Sequence, residues 1–347
     1  VALAVVIVAA VGVAVGRTSI NNGTPPAVTG SPPTSTAGGA ATTAAKVDPG
    51  VVDVTTRLGF QGGEAAGTGM VLTSSGEVLT NNHVVDGATS VTVTDVGNGQ
   101  TYTATVVGTD ATDDVAVLQL QGASGLRTVA IGDSSTLSPG EAVTAIGNAG
   151  GVGGTPSVAS GTVTALGQSI TATDESDGSS EQLTGLIETD AALQPGDSGG
   201  PLVTSNGQVI GMDTAASSGF QFQSGSTQGF AIPINHAVSV ARQIMAGQAS
   251  GTVHIGPAAL IGVEVQSQPT GSGAQVVGVQ AGSPADQAGI ATGDTIVSLG
   301  GQTVDSPTTL RNLMVRRHPG DSVQIGWVDA SGVSHSATVK LITGPAA

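Results

Sequence analysis

A chain of 347 residues has room for two ordinary domains with extensions, and a hydrophobic share of 39% is enough to fill real cores. Nine basic against 25 acidic side chains give a formal net charge of −16, which repels phosphate backbones over most of the surface and argues against nucleic-acid binding. The absence of cysteine excludes disulfides, thiol catalysis and cysteine-based zinc sites, and leaves the compartment open.

Residues 1–16 are an unbroken run of Val, Ala, Ile, Leu and Gly followed by Arg17. The run is slightly shorter than the roughly 20 residues that cross a bilayer. It reads as a signal peptide or a single membrane anchor truncated at its front, and Ala14-Val15-Gly16 is an acceptable cleavage site, so retention stays open. Residues 17–46 are mainly Thr, Ser, Pro, Gly, Asn and Ala with almost no large apolar side chain, and are expected to be a disordered tether.

From 47 to 247 short runs rich in Val, Ile and Thr alternate with turn clusters, for example 51–58, 78–80, 90–94, 102–107, 115–120, 142–146, 160–166, 186–189 and 208–213. This is the pattern of antiparallel sheets closed into barrels or a sandwich. A helix is expected over 236–246, capped by Asn235 and ended by Gly247, followed by an interdomain linker at 248–256. Residues 257–343 form a smaller α/β unit, with strands near 261–265, 275–279, 323–327 and 336–341. A capped helical turn is expected at 283–290 and a helix over 306–317, with Pro307 at its first position.

The chemistry gathers around Gln194-Pro195-Gly196-Asp197-Ser198-Gly199-Gly200-Pro201. Glycines on both sides let the backbone take positive φ and let another chain approach closely, so the N–H groups of Gly196 and Ser198 can converge on one hollow that stabilises an oxyanion. A plain Gly/Ser surface loop is the alternative in a chain with 54 glycines. A serine nucleophile needs a base and a group that orients the base. His83, in Thr80-Asn81-Asn82-His83-Val84-Val85, sits where a β run meets a polar turn. Asp114 opens the apolar run Val115-Ala116-Val117-Leu118, which places a carboxylate at a core edge.

The order His83, Asp114, Ser198 with a Gly-Asp-Ser-Gly-Gly loop resembles the chymotrypsin-like serine proteases. The segments around His83 and Asp114, together with Ala145-Ile146-Gly147-Asn148 and Gly229-Phe230-Ala231-Ile232-Pro233, narrow the resemblance to the HtrA/DegP family, in the manner of its actinobacterial membrane-tethered or secreted members. The resemblance covers about 51–341. It implies a mostly β fold, a chymotrypsin-like protease domain of two six-stranded β-barrels followed by a small α/β PDZ domain. It further implies Ser198 as nucleophile, His83 as base, Asp114 as its orienter and an oxyanion hole at Gly196 and Ser198, formed when loops near 167–184, 191–197 and 213–228 order. Asp197 stands where the family commonly carries Asn and is expected to be solvated or paired; Ala149 stands where Pro is frequent. The floor of the specificity pocket falls on Ala192, so cleavage after small or medium aliphatic residues is expected rather than after Lys or Arg.

The C-terminal unit resembles a PDZ domain, in which Leu260, Ile261, Gly262 and Val263 receive a peptide C-terminus and the helix over 306–317 walls the groove. Neither a cofactor nor a metal is expected: His236, His254, His318 and His335 lack metal-ligand spacing, and the glycines of 147–154 lack a Walker lysine. The resemblance implies an extracytoplasmic, envelope-associated endopeptidase acting on unfolded or misfolded proteins, a homotrimer, attached to the membrane if the N-terminal segment is retained. The alternative is a peptide-binding chaperone with slow or conditional proteolysis.

Overall fold

The computed structural model describes residues 36–59, 63–173, 180–214, 228–267 and 272–346. The apolar segment 1–16, most of the tether and most of the loop 213–228 lie outside them. Among the described residues no helix is long and apolar enough to cross a membrane.

The tether ends earlier than its composition implies. Helix α1, Thr36–Val47, packs on the strands Ala142–Gly147 and Ser157–Thr173 and buries Ala44 and Val47, while the Thr43 hydroxyl donates to the Ser205 carbonyl at 3.1 Å. Its alanines favour the helix. Its glycines and threonines do not, so docking supplies what local propensity lacks.

Two barrels follow. In the first, the strand order is Thr101–Asp110, Ser90–Asp95, Val51–Arg57, Glu64–Val71, Glu77–Thr80 and Val115–Leu120, and the last strand pairs back onto the first. In the second the order is Pro201–Thr204, Ala142–Gly147, Ser157–Thr173, Ser180–Thr189, Gly229–Pro233 and Gln208–Asp213, again closing on itself. Six strands close each ring, as the resemblance implies, and closure leaves no free edge among them. Each ring also carries an outrigger, Val253–Ile255 on the first and the parallel pair Ala130–Ile131 on the second.

Two expectations about connecting segments change here. The supposed loop 167–184 contributes the outer arms of a hairpin, with Thr173 opposite Ser180; exposed Ser169 and Thr171 suit a strand with a solvated face. The supposed linker 248–256 contributes the strand Val253–Ile255, with His254 buried, so it is pinned to the first barrel rather than free.

Helix α2 is the single turn Asn82–Val85. Helix α3, Ile234–Met245, buries Ile234, Ala237, Val238, Ala241 and Ile244, a helical repeat that fits against strands of both barrels. Asn235 lies inside the helix and Pro233 takes the cap position. Asn235 still serves the first turn, since its N–H donates to Ser134 Oγ and its amide to Asp133 Oδ1 at 2.7 Å.

The C-terminal unit is a twisted sheet in the order Val263–Ser267, Ala274–Val279, Thr295–Leu299, Ser322–Val328, Ser334–Lys340 around its own core of Ile296, Leu299, Leu310, Ile325 and Trp327. The expected helices are present as α4, Pro284–Ala288, and α5, Pro307–Met314. Ser283 and Ser306 cap them by accepting from the Asp286 and Thr309 N–H groups, and Gly289 ends α4 at φ 85°. This unit touches the first barrel: Arg311 pairs with Asp86, the Gly87 N–H donates to the Ala346 carbonyl, and the rings of His254 and His318 stack at 4.7 Å.

Candidate active site

His83 sits on the turn α2, directly after the strand Glu77–Thr80. Asp114 precedes the strand that pairs with it and is the one described non-glycine residue with positive φ, 52°. That backbone costs an L-residue about 1–2 kcal/mol, and aspartate is among the types that tolerate it. The result is a carboxylate, 3% exposed, held against the imidazole. Oδ2 and Oδ1 lie 2.9 and 3.0 Å from His83 Nδ1, and Oδ1 also accepts the His83 backbone N–H at 3.0 Å. Thr214 Oγ1 donates to Oδ2 at 3.3 Å, and buried Asn81 donates to the Asp114 carbonyl at 3.0 Å. A carboxylate at Nδ1 fixes the proton there and leaves Nε2 as the basic nitrogen.

Ser198 arrives from the other barrel, three residues before the strand Pro201–Thr204. The loop is wedged so tightly that only glycine fits on either side of it. Gly196 has φ 101°, and a Cβ there would lie 2.1 Å from the Asn148 carbonyl; Gly199 has φ 84°, and a Cβ would lie 2.1 Å from the Thr68 carbonyl. The fully buried Thr68 of the first barrel is the strut that joins the halves. Its N–H donates to the Ser198 carbonyl at 2.8 Å, its hydroxyl donates to the Gly196 carbonyl at 2.7 Å, and that hydroxyl accepts the Asn148 N–H at 2.9 Å.

His83, Gly196 and Ser198 line one cleft of about 430 Å³, with Pro195, Gly150 and Gly151 on its rim. The Pro195 carbonyl accepts the Gly150 N–H at 2.7 Å. Because the peptide is planar and trans, the Gly196 N–H points opposite to that carbonyl, away from Gly150.

Asp197 is paired rather than solvated. It is 3% exposed, its Oδ1 accepts the Ser157 hydroxyl and its Oδ2 the Gln194 N–H, both at 2.8 Å. Burial pushes its carboxyl above the ordinary range, against the pull of these two hydrogen bonds. Ala192 does not line the cleft: it is exposed beside buried Ala191, while Leu193 packs over Gly229. Residues 215–227 lie outside the described residues.

The second predicted site is also assembled. Leu260, Ile261, Gly262 and Val263 line a groove of about 240 Å³ with Leu310 and Met314 of α5. Gly262 has φ 88°, its carbonyl accepts the Gln280 N–H at 3.0 Å, and a Cβ on it would lie 2.2 Å from Ser283 Cβ. Asp86 and Gly87, the residues directly after α2, reach the same groove. Among the described residues no cluster of three potential metal ligands occurs.

Thr68 and Thr214 are the site residues that sequence reading missed. The signals for them were the Gly67-Thr68-Gly69 setting in a strand and the placement of Thr214 at the end of a buried one.

Comparison with known proteins bears on the two domains. Residues 67–212 match the trypsin-like peptidase domain model and residues 259–340 the PDZ domain model. The serine protease PepD of Mycobacterium tuberculosis is 37% identical over 321 residues, covering 88% of this chain and 66% of PepD. The periplasmic pH-dependent serine endoprotease DegQ of Escherichia coli is 35% identical over 300 residues, covering 81% of this chain and 62% of DegQ. The chain thus spans just under two thirds of these curated relatives. Among solved structures, a variant of the HtrA-type protease AlgW with a tripeptide superposes with a TM-score of 0.51 at 28% identity, covering 88% of this chain and 98% of that one.

Proposed function

Because this chain is HtrA/DegP-like, a trypsin-like peptidase domain followed by one PDZ domain, we propose that it is a serine endopeptidase that hydrolyses peptide bonds through Ser198, His83 and Asp114. Ser198 Oγ attacks the scissile carbonyl, His83 Nε2 takes the proton and returns it to the leaving amine, and Asp114 holds the ring and offsets the imidazolium charge. The N–H groups of Gly196 and Ser198 receive the developing oxyanion. The observation that carries this reading is the double contact of the Asp114 carboxylate with His83 Nδ1, on the far side of a ring that shares a cleft with Ser198.

The substrates in this reading are unfolded or misfolded proteins of the cell envelope or secreted space, since extended chain fits an open cleft. The apolar groove beside Gly262 takes peptide C-termini by strand addition. The periplasmic naming of relatives such as DegQ supports an extracytoplasmic site of action; membrane attachment through 1–16 and assembly as a homotrimer belong to the same reading. Casein hydrolysis tests it: Ser198→Ala is expected to lower turnover by about 10⁶-fold, and full activity in that variant rejects the assignment.

A further inference from the structure

One buried acid has no part in the mechanism above. Asp213 ends the strand Gln208–Asp213, is 0% exposed, and neither of its carboxyl oxygens has a hydrogen-bond partner among the described residues. Its backbone clamps the arm of the loop that follows Ser198: the Gly199 N–H donates to its carbonyl and its own N–H donates to the Gly200 carbonyl, both at 2.8 Å. The next residue, Thr214, holds Asp114. Asp213 therefore sits where the nucleophile loop and the carboxylate behind His83 are tied together.

The charge that acts on Asp213 is the carboxylate of Asp197, the residue before the nucleophile. The strands paired with its end of the sheet, Pro201–Thr204 and Gly229–Pro233, bring no titratable side chain. Helix α3 packs on the same strand, but its His236 is turned to Asp113 and its Arg242 is exposed. Among the described residues no cation offsets a second negative charge here, and Asp197 holds two hydrogen-bond donors while Asp213 holds none.

We propose that Asp213 is a positioning residue that works as a neutral, proton-bearing acid, keeping the Ser198 loop seated, and that its ionisation unseats the loop. Burial first, and the charge of Asp197 second, hold its carboxyl well above the ordinary aspartate range. Of the two, Asp197 is the one whose carboxylate is stabilised by donors, so in this proposal the proton is held on Asp213. An ionised Asp213 must either draw in water or swing out of its pocket. Either movement breaks the two backbone bonds to Gly199 and Gly200, one and two residues after Ser198. The inference rests on Ser198 being the nucleophile.

Two measurements on the full chain decide it. With ¹³C-labelled aspartate, a carboxyl resonance at the protonated position is expected at pH 7, and Asp213→Asn should remove it. The rate of Ser198 labelling by a fluorophosphonate is then followed from pH 6 to 10. The ratio of Asp213→Asn to unaltered protein should rise at least tenfold across that range, because the amide cannot ionise. Asp197→Asn, which keeps Asp213 and removes the neighbouring charge, should move the alkaline fall to lower pH; it serves as the test if Asp213→Asn does not fold. An aspartate set fully ionised at pH 7, a flat ratio, or an unmoved alkaline fall in Asp197→Asn overturns the proposal. Failure of Ser198 to label at any pH would instead defeat the functional reading beneath it.

Discussion

The two concave sites of this molecule are built on different principles. The cleft between the barrels is fixed by buried hydrogen bonds: Thr68 ties Gly196, Ser198 and Asn148, Asn81 and Thr214 hold Asp114, and Asp114 holds His83. The groove of the C-terminal unit is walled by aliphatic side chains of Leu260, Val263, Leu310 and Met314, with one glycine turn at its end. Proton transfer needs atoms held to within tenths of an ångström, and directional bonds in a dry setting provide that. Reception of an extended peptide needs an exposed strand edge and apolar walls, which tolerate varied side chains. Single substitutions should therefore be far more costly in the first site than in the second.

The sharpest way to test that contrast is Asp114→Asn. The amide keeps the shape but disturbs the tautomer of His83, and a fall of about 10⁴-fold in kcat is expected, read in a peptide-cleavage assay, with peptide binding at the groove retained. Thr68→Val comes next. It leaves the Gly196 carbonyl and Asn148 N–H without their buried partner, which costs about 1–3 kcal/mol for each group stranded, and a lowered denaturant midpoint together with reduced kcat should reveal it. In the other site, Gly262→Ala forces a side chain into a left-handed backbone against Ser283; a penalty of about 1–2 kcal/mol should weaken binding of a C-terminal peptide about tenfold by fluorescence anisotropy. Arg311→Ala should be the mildest. The Arg311–Asp86 pair is about one third exposed on each side, so its loss should cost under about 1 kcal/mol, a shift of a few degrees or less in melting temperature. A loss at Gly262 or Arg311 as large as that at Asp114 would break the comparison.

Much of the site was readable in the chain because short motifs carry it. The glycines flanking Ser198 are obligatory where backbones pass within contact, and that obligation is written locally. The serine caps at Ser283 and Ser306 and the apolar period of α3 are local too. Residues whose roles come from distant partners were not readable. Thr68 looks like any strand threonine until the second barrel brings Gly196 and Asn148 to it, and Asp213 looks like the polar end of a β run until the closed ring buries it. Helix α1 and the hairpin arms within 167–184 escape the sequence for the same reason: Thr, Ser, Gly and Ala are poor evidence of order until a docking surface or a strand partner is supplied.

The account depends on Ser198 being activated by His83, and fluorophosphonate labelling of the intact chain with mass mapping of the modified residue tests this most directly. A single adduct on Ser198, whose rate collapses in His83→Ala, is the predicted result. An adduct elsewhere, or a Ser198 adduct that forms as fast without the imidazole, would contradict it.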